Sequence, residues 1–280
     1  MKNLIIRTIT GIVFVAAVVV SLVFYVRCAY IFYALFLFFT GMGCFELLRM
    51  AGKIGISGNL IFSILLSVAV FSFHFCMMDG GPILSLRMSA LFLACIVVLG
   101  LLIFVLEIFR RKPNALSNVA VSFLPALWVA LPFAILGTML LDYGPAIPLA
   151  LFIILWMSDT FAYCAGSLFG SHRLCERISP KKSVEGLVIS LVLTAGLSVF
   201  FYFIPYFGNG ILSTPFHWIG LALIIVAAGT CGDLLESLFK RNCGVKDSGK
   251  ILPGHGGILD RFDSSFLAIP AAWAYILILG

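Results

Sequence analysis

Apolar residues run along the chain in nine blocks, at about residues 4–26, 29–50, 60–78, 88–109, 119–141, 146–169, 187–207, 219–240 and 262–280, with polar residues gathered in the joints between them. Each block approaches the roughly 20 residues that an α-helix needs to cross a hydrocarbon layer about 30 Å thick. The pattern predicts an all-α, polytopic integral membrane protein of about nine transmembrane helices. The loops 51–59, 79–87 and 110–118 are too short to be domains, and no internal repeat is evident. Residues 1–280 are therefore expected to form a single membrane domain, with 1–141 mainly scaffold helices and 146–280 the helices and loops that carry the chemistry.

Composition agrees with the pattern: the chain is 62% apolar and 11% charged, with mean hydropathy +1.16, against roughly 25% charged residues in soluble domains. If the N-terminus is cytoplasmic, sixteen of the eighteen Lys and Arg residues fall on one side, leaving Arg27 and Arg87 for the other. Cytoplasmic loops are enriched in these residues, so the expected topology has the N-terminus inside and an odd number of spans; the expected location is the cell (inner) membrane. This bias accounts for most of the net charge of +6 and makes a nucleic-acid partner unnecessary. The first apolar run is longer than a signal h-region and has no small-x-small cleavage site, so it is read as an uncleaved helix. Eight cysteines show no C-x-x-C spacing and are read as small buried apolar residues rather than metal ligands or disulfides.

The first five blocks offer little chemistry. Glu46 precedes Arg49 by three residues and Glu107 precedes Arg110 by three, each near a cytoplasmic helix end where such side chains can pair. The sixth block differs, because Asp159 lies near its middle. An ionised Asp facing lipid costs roughly 2.5–3.5 kcal/mol on insertion scales, so Asp159 should face protein, water or an ion. Asp159, Tyr163, Gly166 and Gly170 share one helical face, and Gly166-x-x-x-Gly170 is a small-xxx-small seam for close packing. The loop that follows brings Lys181 and Lys182, then Ser183 and Glu185 at the entrance to the seventh helix. It reads either as a phosphate site at a helix N-terminus or as ordinary basic residues with Ser183 as a cap.

Charge is concentrated in residues 233–263, which hold 10 of the chain's 30 charged side chains. Asp233, Glu236, Ser237 and Lys240 form one polar face at the end of the eighth helix. Arg241, Lys246, Asp247 and Lys250 follow, and a Pro253-Gly254-His255-Gly256-Gly257 turn leads to Asp260, Arg261 and Asp263. Antiparallel neighbours would bring Asp233 close to Asp260, and one or two carboxylates suffice for Mg²⁺, which completes its octahedron with water and phosphate oxygens. An ion-pair network sealing a helical hairpin is the structural alternative. His255 reads as a general base or as a loop-ordering hydrogen-bonding group.

The run from Ser237 to Asp263, with Lys240-Arg241, Lys246-Asp247-x-Gly249, Pro253-x-His255-Gly256-Gly257 and Asp260-Arg261-x-Asp263, resembles the pattern of the phosphatidate cytidylyltransferases, the CDP-diacylglycerol synthases. The Asp159-x-x-Ala162-Tyr163 segment and the Ser179-Pro180-Lys181-Lys182-Ser183-x-Glu185-Gly186 loop are also similar, with Ser183 where the family has Thr. The resemblance covers about residues 156–270. It implies transfer of a cytidylyl group from CTP to phosphatidic acid at the cytoplasmic membrane face, with Mg²⁺, expected as two cations, as cofactor, and a homodimer in the lipid bilayer. On this reading Asp233, Asp260 and Asp263 hold metal, and Lys240 and Arg241 act with them. Lys181, Lys182, Ser237, Lys246, Asp247, His255, Gly256, Gly257 and Arg261 bind phosphate or substrate, and Asp159, Glu185 and Glu236 support the site or join a second metal. A CTP-dependent polyprenol or phytol kinase and a transporter are the alternatives; the clustering of polar groups at one cytoplasmic end argues against transport.

Overall fold

The computed structural model describes residues 2–73, 82–208, 210–251, 254 and 256–279, and the side chains of these except 2–7 and 82–86. In chain order the helices are α1 (Lys2–Val23), α2 (Ala29–Gly52), α3 (Leu60–Ser72), α4 (Pro82–Phe109), α5 (Ala115–Pro125), a π-helical turn (Ala126–Ala130), α6 (Leu131–Tyr143) and α7 (Ala146–Phe169). Two short strands, β1 (Arg173–Cys175) and β2 (Ser179–Ser183), precede α8 (Val184–Phe203), α9 (Pro215–Asn242), α10 (Leu259–Phe262) and α11 (Ser265–Leu279). Every apolar block is mostly helical where it is described. Seven helices among the described residues are long and apolar enough to cross a membrane, while Thr8–Val23 and Leu60–Ser72 are apolar but shorter. The 13 residues of α3 rise about 20 Å.

Large apolar side chains stand exposed along these helices, such as Leu91, Leu101 and Ile108 on α4 and Val192 and Phe200 on α8. Surfaces of that kind on helices of spanning length belong against lipid. Of the described cysteines all are free; Cys44 is buried, but Cys95, Cys164 and Cys231 are exposed on helices, so burial is not general as expected.

The chain forms two compact units, Met1–Leu141 with Asn242–Arg261, and Asp142–Arg241 with Phe262–Gly280. In the first, the core is aromatic: Phe36 stacks on Phe32 at 4.4 Å and meets Phe133 edge-on at 4.9 Å. Pro125 interrupts the helical ladder because it has no N–H, and the π turn that follows absorbs the defect, so that α5, the turn and α6 make one continuous span, Ala115–Tyr143. Buried hydroxyls bond back to their own helix, Thr40 to the Phe36 carbonyl and Ser67 to that of Ser63, as apolar surroundings require. The expected Glu107–Arg110 pair forms at 2.8 Å. It is extended by Asn118, whose amide donates to Glu107 and whose carbonyl oxygen accepts from the Ser57 amide.

In the second unit α7 and α8 cross at glycine. Gly186 lies where a Cβ would strike the Ala162 carbonyl at 2.8 Å and Gly166 at 3.2 Å, and a Cβ on Gly166 or Gly170 would meet the Ser183 hydroxyl. The Gly166/Gly170 seam thus serves helix packing, as its spacing predicts. Between the helices the basic loop folds as an antiparallel hairpin, with Arg173 opposite Ser183 and Cys175 opposite Ser179. Ser183 then caps α8, its hydroxyl accepting from the Gly186 amide at 3.1 Å. Glycine also sets the approach of α9 to the break between α10 and α11. A Cβ on Gly232 would lie 2.6 Å from the Asp263 carbonyl oxygen, and one on Gly229 would reach Leu155 and Ser264.

Candidate active site

The signature residues fall in both units. In the first, the loop after α9 is organised by a buried acid from α2. Glu46, 1% exposed, accepts from the Ile258 amide at 3.1 Å, the Leu259 amide at 3.0 Å and the Ser248 hydroxyl at 2.9 Å. This replaces the expected local pair with Arg49: Glu46 points into the unit while Arg49 is exposed. Asp260 works beside it, its Oδ2 accepting from the Ser248 amide (2.8 Å), the Ser248 hydroxyl (2.9 Å) and the Gly257 amide (2.8 Å). The resemblance assigns Gly256 and Gly257 to phosphate or substrate; in this loop the Gly257 amide donates to the protein's own Asp260.

Three glycines are needed for this clamp. A Cβ on Gly249 or Gly257 would collide with the Glu46 carboxylate, and Gly256 has φ +85° and faces Asp260. Gly257→Ala should therefore lower the thermal midpoint of the purified protein by several degrees, on the order of 1–3 kcal/mol of overpacking; an unchanged melting curve would show that the carboxylate can yield. Lys246, Asp247 and Arg261 are exposed. His255 lies outside the described residues.

In the second unit, Lys182 and Asp233 close one wall of a cavity of about 270 Å³, lined also by Ser158, Asp159, Tyr163, Lys181 and Thr230. Lys182 Nζ lies 2.5 Å from Asp233 Oδ2, and the Ser237 hydroxyl donates to Asp233 Oδ1 at 3.2 Å. One turn on, Lys240 pairs at 3.1 Å with Glu236, which is 1% exposed. The polar face predicted for the helix end thus resolves into two i, i+4 contacts. Arg241 Nε donates to the Ile178 carbonyl at 3.4 Å, holding the turn of the hairpin. Glu185 braces the same hairpin: its carboxylate accepts from the amides of Ser171 and His172, and lies 2.6 Å from His172 Nδ1.

Asp263 sits in the break between α10 and α11, where its Oδ1 accepts from the Ser264 amide at 2.7 Å. Asp159, Asp233 and Asp263 are near enough for their charges to interact, with Lys240 also acting on Asp263. Among the described residues no three His, Cys, Asp or Glu side chains converge as a ready-made metal cage. The pair Asp233 and Asp263 nevertheless fits Mg²⁺, which needs only one or two carboxylates and takes its remaining ligands from water and phosphate. The cavity wall contains groups that the sequence did not single out: Ser158, whose carbonyl accepts from Ser190 at 2.9 Å, Thr230, and the apolar Leu174 and Leu187. Cations beside apolar side chains suit a ligand that is itself part anion and part hydrocarbon.

A model of the cytidylyltransferase family matches residues 5–279, nearly the whole chain. The chain belongs to the cytidylyltransferase family. Among curated relatives, it is similar to the phosphatidate cytidylyltransferase of Staphylococcus haemolyticus, with 45% identity over 121 residues, covering 42% of this chain and 44% of that protein. The enzyme of the same name from Staphylococcus aureus strain COL is 46% identical over 125 residues (42% and 44%), and that of Haemophilus influenzae 41% over 130 residues (46% and 44%). The aligned segment spans less than half the length of each of these relatives. For this cytidylyltransferase-family protein, the tie between Lys182 of the hairpin and Asp233 of α9 joins the two signature regions of the second unit.

Proposed function

We propose that the protein transfers a cytidylyl group from CTP to phosphatidic acid, forming CDP-diacylglycerol and pyrophosphate, at the cytoplasmic face of the inner membrane. The observation that carries this reading is the Lys182–Asp233 pair in the wall of a part-apolar cavity, in a chain of the cytidylyltransferase family. A phosphate oxygen of phosphatidic acid attacks the α-phosphorus of CTP, the α–β phosphoanhydride bond breaks, and pyrophosphate leaves with the electron pair. A phosphomonoester has its second pKa near about 6, so the attacking group is largely dianionic at neutral pH and needs no strong base.

What the protein must do is hold two anions that repel one another and stabilise the charge that builds as pyrophosphate leaves. Lys181 and Lys182 attract the lipid phosphate, and Asp233 fixes the Lys182 ammonium in place. Tyr163, Leu174 and Leu187 offer apolar surface to the glycerol and the start of the acyl chains. Lys240, held by Glu236, supplies a further positive charge close to Asp263. Lys246 and Arg261 are assigned to phosphate. Mg²⁺ would be held by Asp233 and Asp263, and when bound it would neutralise phosphate charge. Sixteen of the eighteen Lys and Arg residues lie on the side assigned to the cytoplasm, which supports placing the reaction there.

The test is release of pyrophosphate by the purified protein in lipid nanodiscs. Release is expected only when CTP and phosphatidic acid are both present. Equal activity with ATP, or with a lipid alcohol in place of phosphatidic acid, would replace this reading with a kinase-like one.

A further inference from the structure

The first unit contains a second polar cavity, of about 300 Å³, between the end of α2 and the loop 244–250. Arg49 and Lys53 from the end of α2 and Lys246 and Lys250 from the loop line it, with Asp247 the one acid among the described lining residues. All four cations are exposed, and among the described residues none of them forms an ion pair. The arrangement is built rather than incidental. Lys53 keeps helical backbone angles beyond the end of α2 (φ −69°, ψ −23°), so Arg49 and Lys53, four residues apart, project from one side of the helix end. Opposite them the loop is held in register by Ser248, whose hydroxyl and amide are tied to Glu46 and Asp260.

Positive side chains at the end of a helix can be explained by the helix dipole alone. That explanation does not reach Lys246 and Lys250, which are on no helix, yet they share the cavity. Four cations against one carboxylate repel one another unless an anion lies between them, and the Arg fork and Lys ammonium groups match phosphate oxygens. Among the described residues, the large apolar side chains in the wall are Met50 and Val245 alone, so the cavity favours a water-borne polyanion over an acyl-bearing one.

We propose that this cavity binds the phosphate chain of the nucleotide, with Arg49 and Lys53, which lie outside the signature, as binding residues. The proposal deepens the reading of the reaction given above and rests on it for the identity of the nucleotide.

The experiment uses the full chain in phosphatidylcholine nanodiscs and compares the wild type with Arg49→Gln/Lys53→Gln. Inorganic pyrophosphate is the probe in calorimetric titration, and steady-state kinetics are run in parallel. The double variant should bind pyrophosphate at least about tenfold more weakly, with a shallower dependence on salt. Its KM for CTP should rise by about the same factor, with kcat within about twofold and KM for phosphatidic acid unchanged. Arg49→Lys/Lys53→Arg should recover most of the affinity. Undiminished pyrophosphate binding in the double variant overturns the site. A rise in KM for phosphatidic acid alone overturns the nucleotide assignment in favour of the lipid headgroup. If the wild type transfers no cytidylyl group but loses pyrophosphate binding on substitution, the anion site stands and the reading of the reaction falls.

Discussion

Asp233→Asn is expected to lower turnover by two to three orders of magnitude while the protein remains abundant in the membrane. Asp233 receives Lys182 on one oxygen and the Ser237 hydroxyl on the other. An amide keeps the shape but loses the charge that holds the ammonium, and it no longer serves a divalent cation. Removing one group that stabilises developing charge costs roughly 10²–10³ in kcat. Lys182 and Asp233 are both partly exposed, with side-chain exposures of 29% and 23%, so water softens the effect on stability and the loss should appear in kcat. The measurement is pyrophosphate release against protein quantified in the membrane fraction. Lys182→Gln should fall by a similar factor, and the double substitution should be little worse than either single one, because both remove the same contact. Near-wild-type turnover in Asp233→Asn would remove the pair from the mechanism.

Glu46→Ala should have the largest effect on stability. It leaves the Ile258 and Leu259 amides without their buried acceptor, while the Ser248 hydroxyl keeps Asp260, and each buried donor left unsatisfied costs about 1–3 kcal/mol. The total is a large share of a stability of about 5–15 kcal/mol. The damage should centre on residues 242–261, so limited proteolysis is expected to cut there first, with a drop in thermal midpoint of several degrees or more. Glu46→Gln retains one acceptor oxygen and should be milder. If Glu46→Ala melts like the wild type and resists cleavage in that loop, Glu46 does not hold it.

Glu46 also shows where reading the chain residue by residue stops short. A carboxylate within an apolar helix is the same signal that Asp159 gives, but Arg49 three residues away is a local partner that accounts for it equally well. The partners it takes lie more than 200 residues on, with Ser248 at a separation of 202. Gly257 illustrates the converse. Its place in a glycine turn was legible, while the acceptor of its amide was not, because Asp260 and a bound phosphate make equally good acceptors and only the folded loop chooses between them.

From the chain alone came the properties set by neighbours three or four residues apart and by bulk polarity: membrane-spanning helices, the Gly166/Gly170 packing seam, the polar face of α9 and the family signature. These are local because helix geometry repeats every 3.6 residues and lipid admits only segments that satisfy their own backbone. Tertiary structure alone decided that Lys182 meets Asp233, that Glu46 and Asp260 clamp the signature loop, that Gly229 and Gly232 let α9 approach the break before α11, and that Arg49 and Lys53 share a cavity with Lys246 and Lys250. Such contacts depend on which faces pack together, and burial then makes each polar group find whichever partner that packing places within about 3 Å.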